Sequence, residues 1–207
     1  MLAMAAGVLG PVAAIGFAAG YPVAALPFVL GVGLCAWFFR DPAREIPAGE
    51  HQVVSPADGR VLAVVAEREE RFLQAPATRI SIFMSPLDVH VNRSPVAGRV
   101  VTVEHTRGKF RAAFADKASL DNERTAMVLE AGGRRLVVVQ IAGALARRIV
   151  CRPQPGDVLE RGERYGLIMF GSRVDLFLPE GVRACVAPGA RVYAGRTVVA
   201  EMVAEGP

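Results

Sequence analysis

The chain has 207 residues and a formal charge of +4 from 24 basic and 20 acidic side chains, a length that suits one compact domain with a sizeable core. Its three cysteines, Cys35, Cys151 and Cys185, are odd in number and without paired spacing, which argues against a disulfide framework or a zinc site and for a reducing compartment. Lys109 and Lys117 are the only lysines, so the basic balance is arginine, and no basic run is interleaved with aromatics; nucleic acid is disfavoured, and phosphate groups at an anionic membrane surface are the economical partner.

Residues 1–39 carry no charged side chain and exceed the roughly 20 apolar residues that a bilayer-spanning helix needs. They are expected to be a membrane-anchoring segment. Arg40 and Arg44 follow the apolar run rather than precede it, which is unlike a cleaved secretory signal and keeps the rest of the chain on the cytoplasmic side of the cell membrane. Pro11, Pro22 and Pro27 interrupt the run, so one tilted span and two short helices in a hairpin or re-entrant loop both fit. Residues 40–50, RDPAREIPAGE, read as a polar linker that cannot continue a helix cleanly past Pro42 or Pro47.

From residue 51 to 207 a single domain is expected. Runs rich in Val, Ile and Leu recur between turn signals: RVLAVVAE (60–67), RISIFMS (79–85), AGRVVTVEH (97–105), TAMVLEA (125–131), RRLVVVQIAG (134–143), YGLIMFGS (165–172), RVDLFLP (173–179) and RTVVAEMV (196–203). They predict a mainly β, β-rich α+β fold of short antiparallel strands and hairpins. Short helices are expected only at 110–120 and 143–150. PADGRVLAVV, PVAGRVVTVE and PGDVLERGERYGLI each set Pro and Gly before a hydrophobic strand, which suits a sandwich of short strands.

The single Gly-Ser dipeptide, Gly171-Ser172, lies between two apolar stretches and reads as a tight turn joining two strands. It also has the parts for a backbone cut. Ser172 Oγ can attack the Gly171 carbonyl, and a residue without Cβ at 171 eases that approach. The acyl group then moves from nitrogen to oxygen, β-elimination of the ester leaves dehydroalanine, and hydrolysis yields a pyruvoyl group. His90, flanked by Asp88, Asn92 and Arg93, is the candidate base in a stretch too polar for a plain core strand. Asp58 could orient and charge-stabilise that histidine, although Asp before Gly is equally the signature of a hairpin turn. His51 and His105 have no comparable surroundings.

In order and spacing, FFRDPAREIP, SPADGRV, MSPLDVHVNR, GKFRAAFADKASLDNERT, QIAGALARRIV, GDVLERGERYGLIMFGSRVDLFLP and VYAGRTVVAEM resemble the phosphatidylserine decarboxylase family in its short bacterial and archaeal form. The resemblance spans essentially the whole chain. It implies cleavage at Gly171-Ser172 into a large chain 1–171 and a small chain 172–207. The implied cofactor is a pyruvoyl group derived from Ser172, and the implied reaction is decarboxylation of phosphatidylserine to phosphatidylethanolamine. Ser172 resembles the pyruvoyl precursor, His90 the motif histidine and Asp58 the acidic residue of the processing triad; no metal is implied, and a homo-oligomer is compatible. Where longer bacterial members carry a second histidine, three positions after the first, this chain has Arg93, so His90 is expected to serve both steps or Arg93 to take an electrostatic part.

A rival reading comes from Lys117, because ADKAS echoes the tip of a lipoyl hairpin. The SLDNERT that follows is polar rather than strand-like, which disfavours it. The surrounding stretch, with Lys109, Arg111, Arg124, Phe110 and Phe114, suits either lipid headgroups or a solvated loop and helix.

Overall fold

A computed structural model describes residues 11, 14–20, 22–49, 51–109, 122–144, 148–169 and 171–202. The chain divides into two compact units, Met1–Pro42 and Ala43–Pro207. In the first, a helix of 17 residues runs from Pro22 to Phe38 and holds Pro27 within it. Among the described residues no helix is long and apolar enough to cross a membrane, so the structure displays no single long span. Several apolar side chains of this unit nevertheless point outward, Phe17, Val23, Leu30 and Leu34 each being more than 60% exposed, while Phe38 is buried.

The second unit is β-rich, and every ladder between its strands is antiparallel. Numbered along the chain, an eight-stranded sheet runs in the order β13 (Arg191–Val192), β2 (Gly59–Glu69), β3 (Ala75–Met84), β11 (Ser172–Pro179), β7 (Arg134–Ile141), β6 (Arg124–Ala131), β5 (Gly98–Thr106) and β9 (Val158–Leu159). One three-stranded sheet joins β1 (Gln52–Val54), β14 (Val198–Met202) and β12 (Val182–Ala184). Another joins β4 (Val91–Arg93), β10 (Arg164–Ile168) and β8 (Ile149–Cys151).

Period-two alternation gives the large sheet two different faces. Val174, Leu176 and Leu178 of β11 join Ile80, Ile82 and Met84 of β3 in the main core, which also takes in the smaller sheets through Val53, Ile168 and Val199. The opposite face carries a smaller apolar cluster of Ala126, Val128, Val137, Val139 and Ile141, with Phe72 and Phe177 packed on it. Burial on both faces is why TAMVLEA and LVVVQI read as almost unbroken apolar runs.

The eight strand segments expected from sequence are all strands, and the short β1, β4, β8, β9, β12 and β13 are additional. The helix expected at 143–150 is corrected at its end, where Ile149 and Val150 belong to β8 and pair with β10, since a β-branched pair fits a pleated ladder better than a last helical turn; residues 145–147 lie outside the described residues. The helix expected at 110–120 lies outside the described residues, as does Lys117. Two expected hairpins are also absent. β1 pairs with β14 while β2 pairs with β3 and β13, so Asp58-Gly59 is no hairpin tip. Likewise β10 and β11 belong to different sheets, so Gly171 lies where the chain crosses from one sheet to another.

Candidate active site

Ser172 is the first residue of β11, opposite Met84 in register, and is fully buried. Its Oγ donates to Met84 Sδ at 3.5 Å. A thioether is a weak acceptor, so the hydroxyl is directed without being strongly held. Gly171 before it has φ +62°, and a Cβ built there would meet no atom within 4 Å. The glycine is therefore required by the left-handed backbone, not by crowding. Gly59 is the opposite case, since a Cβ there would stand 2.1 Å from the Phe83 carbonyl oxygen, on the strand that ends in Met84.

His90 is buried at the entry to β4. Its Nδ1 donates to the Asp88 carbonyl at 2.8 Å; because a carbonyl only accepts, the neutral ring carries its lone pair on Nε2. The backbone carbonyl of His90 accepts from Ile168 N at 3.3 Å, which ties the histidine to the strand that leads into Gly171. The Asp88 carboxylate caps its own turn through Ser85 N–H at 2.8 Å and takes Arg191 on its other oxygen. One residue thus orients the imidazole with its carbonyl and docks β13 with its side chain.

Asp58 is brought to the same end of the fold but is engaged elsewhere than expected. Its Oδ1 accepts from Ala194 N–H and its Oδ2 from Arg44, both at 2.8 Å, so its contacts run to Arg44 and Ala194 rather than to His90. The reason is topological: β1 and β2 are partners of β14 and β13, which puts the Asp58 bend against the loop after β13. Arg44 and Arg191 both lie over the Tyr193 ring, 5.8 and 5.7 Å from its centroid, so one aromatic joins the two carboxylate–arginine pairs.

Under Ser172 runs a chain of buried amides. Gln140 Nε2 donates to Asn92 Oδ1 at 2.9 Å, and Asn92 Nδ2 reaches the Pro56 carbonyl at 3.4 Å and Met84 Sδ at 3.7 Å. Gln140 Oε1 is buried with no partner among the described residues. Arg93, also buried, donates to the Gly162 carbonyl at 3.0 Å, which commits part of its guanidinium to a turn. Of the three histidines only His90 is buried: His51 is exposed, and His105 bonds Thr125 Oγ1 on the β5–β6 ladder. Sequence reasoning missed Arg44, Met84, Gln140 and Arg191. The one usable signal was Gln140, a lone polar residue inside LVVVQIAG.

Burial raises the Asp58 carboxyl above its ordinary 3.8; the Ala194 amide and Arg44 pull it down, and the charge of Asp88 pushes it up again. An acid whose folded pKa lies above its unfolded one holds an extra proton when folded. Its contribution to stability is therefore complete below 3.8 and is lost as pH rises through the folded pKa. Arg44→Ala removes a cation, so the Asp58 carboxyl midpoint in a 13C NMR titration is expected to move further up. A downward movement would contradict this electrostatic account.

The fold thus holds a buried serine behind a left-handed glycine and, tied to the strand that leads into that glycine, a buried histidine with an oriented ring. The chain belongs to the phosphatidylserine decarboxylase family, whose model matches residues 33–200. It is 51% identical over 180 residues to the phosphatidylserine decarboxylase proenzyme of Ruegeria pomeroyi, covering 84% of this chain and 82% of the relative. The proenzymes of Beijerinckia indica and Syntrophotalea carbinolica are also 51% identical, over 176 and 182 residues, covering 84% and 87% of this chain and 76% and 85% of theirs.

Proposed function

We infer that the chain is a proenzyme of phosphatidylserine decarboxylase, converting phosphatidylserine to phosphatidylethanolamine and carbon dioxide after it cuts itself between Gly171 and Ser172. The observation that carries the reading is Ser172 itself: fully buried, first in β11, behind a left-handed glycine, in a chain of this family. In the cut, Oγ takes over the acyl group of Gly171 as the peptide bond to the Ser172 nitrogen breaks. Elimination then releases the Gly171 carboxylate, and hydrolysis releases the Ser172 nitrogen as ammonia.

The residues present fit a pyruvoyl group at position 172, because among the described residues the only hydrogen bond of the Ser172 hydroxyl is a weak one and its loss strands no strong partner. When formed, that group supplies an electron sink for the loss of carbon dioxide from an α-amino acid headgroup. His90 serves as the proton carrier at Nε2, with Nδ1 held by the Asp88 carbonyl. Asp58 acts by fixing Arg44 and the Ala194 loop. The exposed apolar side chains of the first unit support residues 1–39 as the anchor that keeps the domain at the cytoplasmic face of the cell membrane, where its substrate lies.

The test is covalent. With phosphatidylserine present, borohydride is expected to couple the lipid to fragment 172–207 alone, and activity is expected to fall in parallel. Edman sequencing of that fragment should find its first residue blocked. A free serine amine there, or lipid coupled to Lys109 or Lys117, would refute the assignment.

A further inference from the structure

The end of the large sheet that carries Ser172 also carries a facing pair of arginines. β13 and β2 place Arg191 and Arg60 directly opposite one another in register, and both are exposed. Facing residues in an antiparallel ladder have Cβ atoms about 4.5–5.5 Å apart, and like charges there are destabilising. Asp88 balances Arg191. Arg60 donates only to the Gly189 carbonyl, at 3.0 Å, and among the described residues no carboxylate pairs with it. The nearest acid in sequence, Asp58, is committed to Arg44. One positive charge of the pair is therefore left to be met from outside.

The neighbours of this pair are apolar and outward-facing. The turn that Arg191 clamps through Asp88 is closed by Asp88 N–H to the Ser85 carbonyl at 3.0 Å, and it presents Leu87 at 69% exposure. Tyr193, under the Arg191 guanidinium, is 37% exposed. Phe83 is next to Arg60 across the β2–β3 ladder. A rigid turn with an apolar tip, an aromatic with a polar end, and two guanidiniums behind them match the layers of a phospholipid interface: acyl chains, then glycerol, then phosphate.

We propose that this end of the sheet docks on the phospholipid bilayer, with Arg60 and Arg191 sharing a lipid phosphodiester and Leu87 reaching into the apolar layer. Guanidinium forks suit that anion. The face adjoins Met84 and the turn leading to His90, so docking would bring the end of the sheet that holds Ser172 to the lipid surface. The inference rests on the lipid-substrate reading above.

The experiment uses the full-length processed protein with two substrates: phosphatidylserine in phosphatidylcholine vesicles, and dihexanoyl phosphatidylserine below its micelle-forming concentration. Arg60→Gln and Leu87→Gln are each expected to raise the apparent KM on vesicles about fivefold, the ratio equivalent to about 1 kcal/mol at the surface. Arg60→Lys should recover most of the loss, Arg60→Glu should deepen it, and kinetics on the monomeric substrate should not move. Unchanged vesicle kinetics in both Arg60→Glu and Leu87→Gln would overturn the proposal. An equal rise on the two substrates would assign Arg60 to the headgroup of the substrate molecule itself and would overturn the docking face. Failure of the parent protein on both substrates would instead defeat the decarboxylase reading.

Discussion

Replacing Ser172 by alanine should leave the chain at full length. The acyl shift needs the Ser172 hydroxyl, and among the described residues that hydroxyl makes one hydrogen bond, with Met84 Sδ. A hydrogen bond of that kind is worth about 1 kcal/mol or less, so the variant should fold as the parent does and the loss of cleavage should be chemical. Denaturing electrophoresis and intact mass read the outcome. The appearance of fragments 1–171 and 172–207 from the alanine variant would sink self-cleavage by Ser172, whereas partial cleavage in Ser172→Cys would support it, since a thiol performs the same shift.

Removing residues 1–39 should separate catalysis from delivery. The unit Ala43–Pro207 has its own core, so the truncated chain is expected to fold, to cut itself and to turn over a short-chain soluble phosphatidylserine. On vesicles its activity should fall by about a hundredfold, because a tether confers gains of that order through effective concentration. Equal activity of full-length and truncated protein on vesicles would mean that the segment is not an anchor.

The long strands were legible because two-sided burial writes itself into the sequence as apolar runs, as at β6 and β7. Strands of two or three residues, such as β9 and β13, are too short to show any period, and they were missed. Which strands pair was equally hidden. Asp58-Gly59 and Gly171-Ser172 both carry turn signals, yet each sits where the chain passes between sheets, a fact fixed by partners far along the chain. The site follows the same division. Ser172, Gly171 and His90 could be singled out as candidates from residue type and motif. Arg44 and Arg191 were not, because their importance comes from the two buried carboxylates they meet, and β13 approaches Asp88 only in the folded chain.

If the chain is cut before Ser172 as proposed, the position of that residue within the sheet bears on how long each enzyme molecule lasts. β11 lies between β3 and β7, β13 edges β2, and β14 pairs with β1, so every sheet contact of fragment 172–207 beyond β12–β14 is with the other fragment. Cutting at residue 172 leaves those contacts in place but turns a one-body folding problem into a two-body one. A molecule that unfolds after the cut must find a partner while exposing an unpaired central strand, a state that favours aggregation over reassembly. Its working life is then set by the rate at which it first unfolds and not by an equilibrium it can revisit. On the proposed cut the precursor would be free to refold, whereas the processed enzyme would in practice fold once.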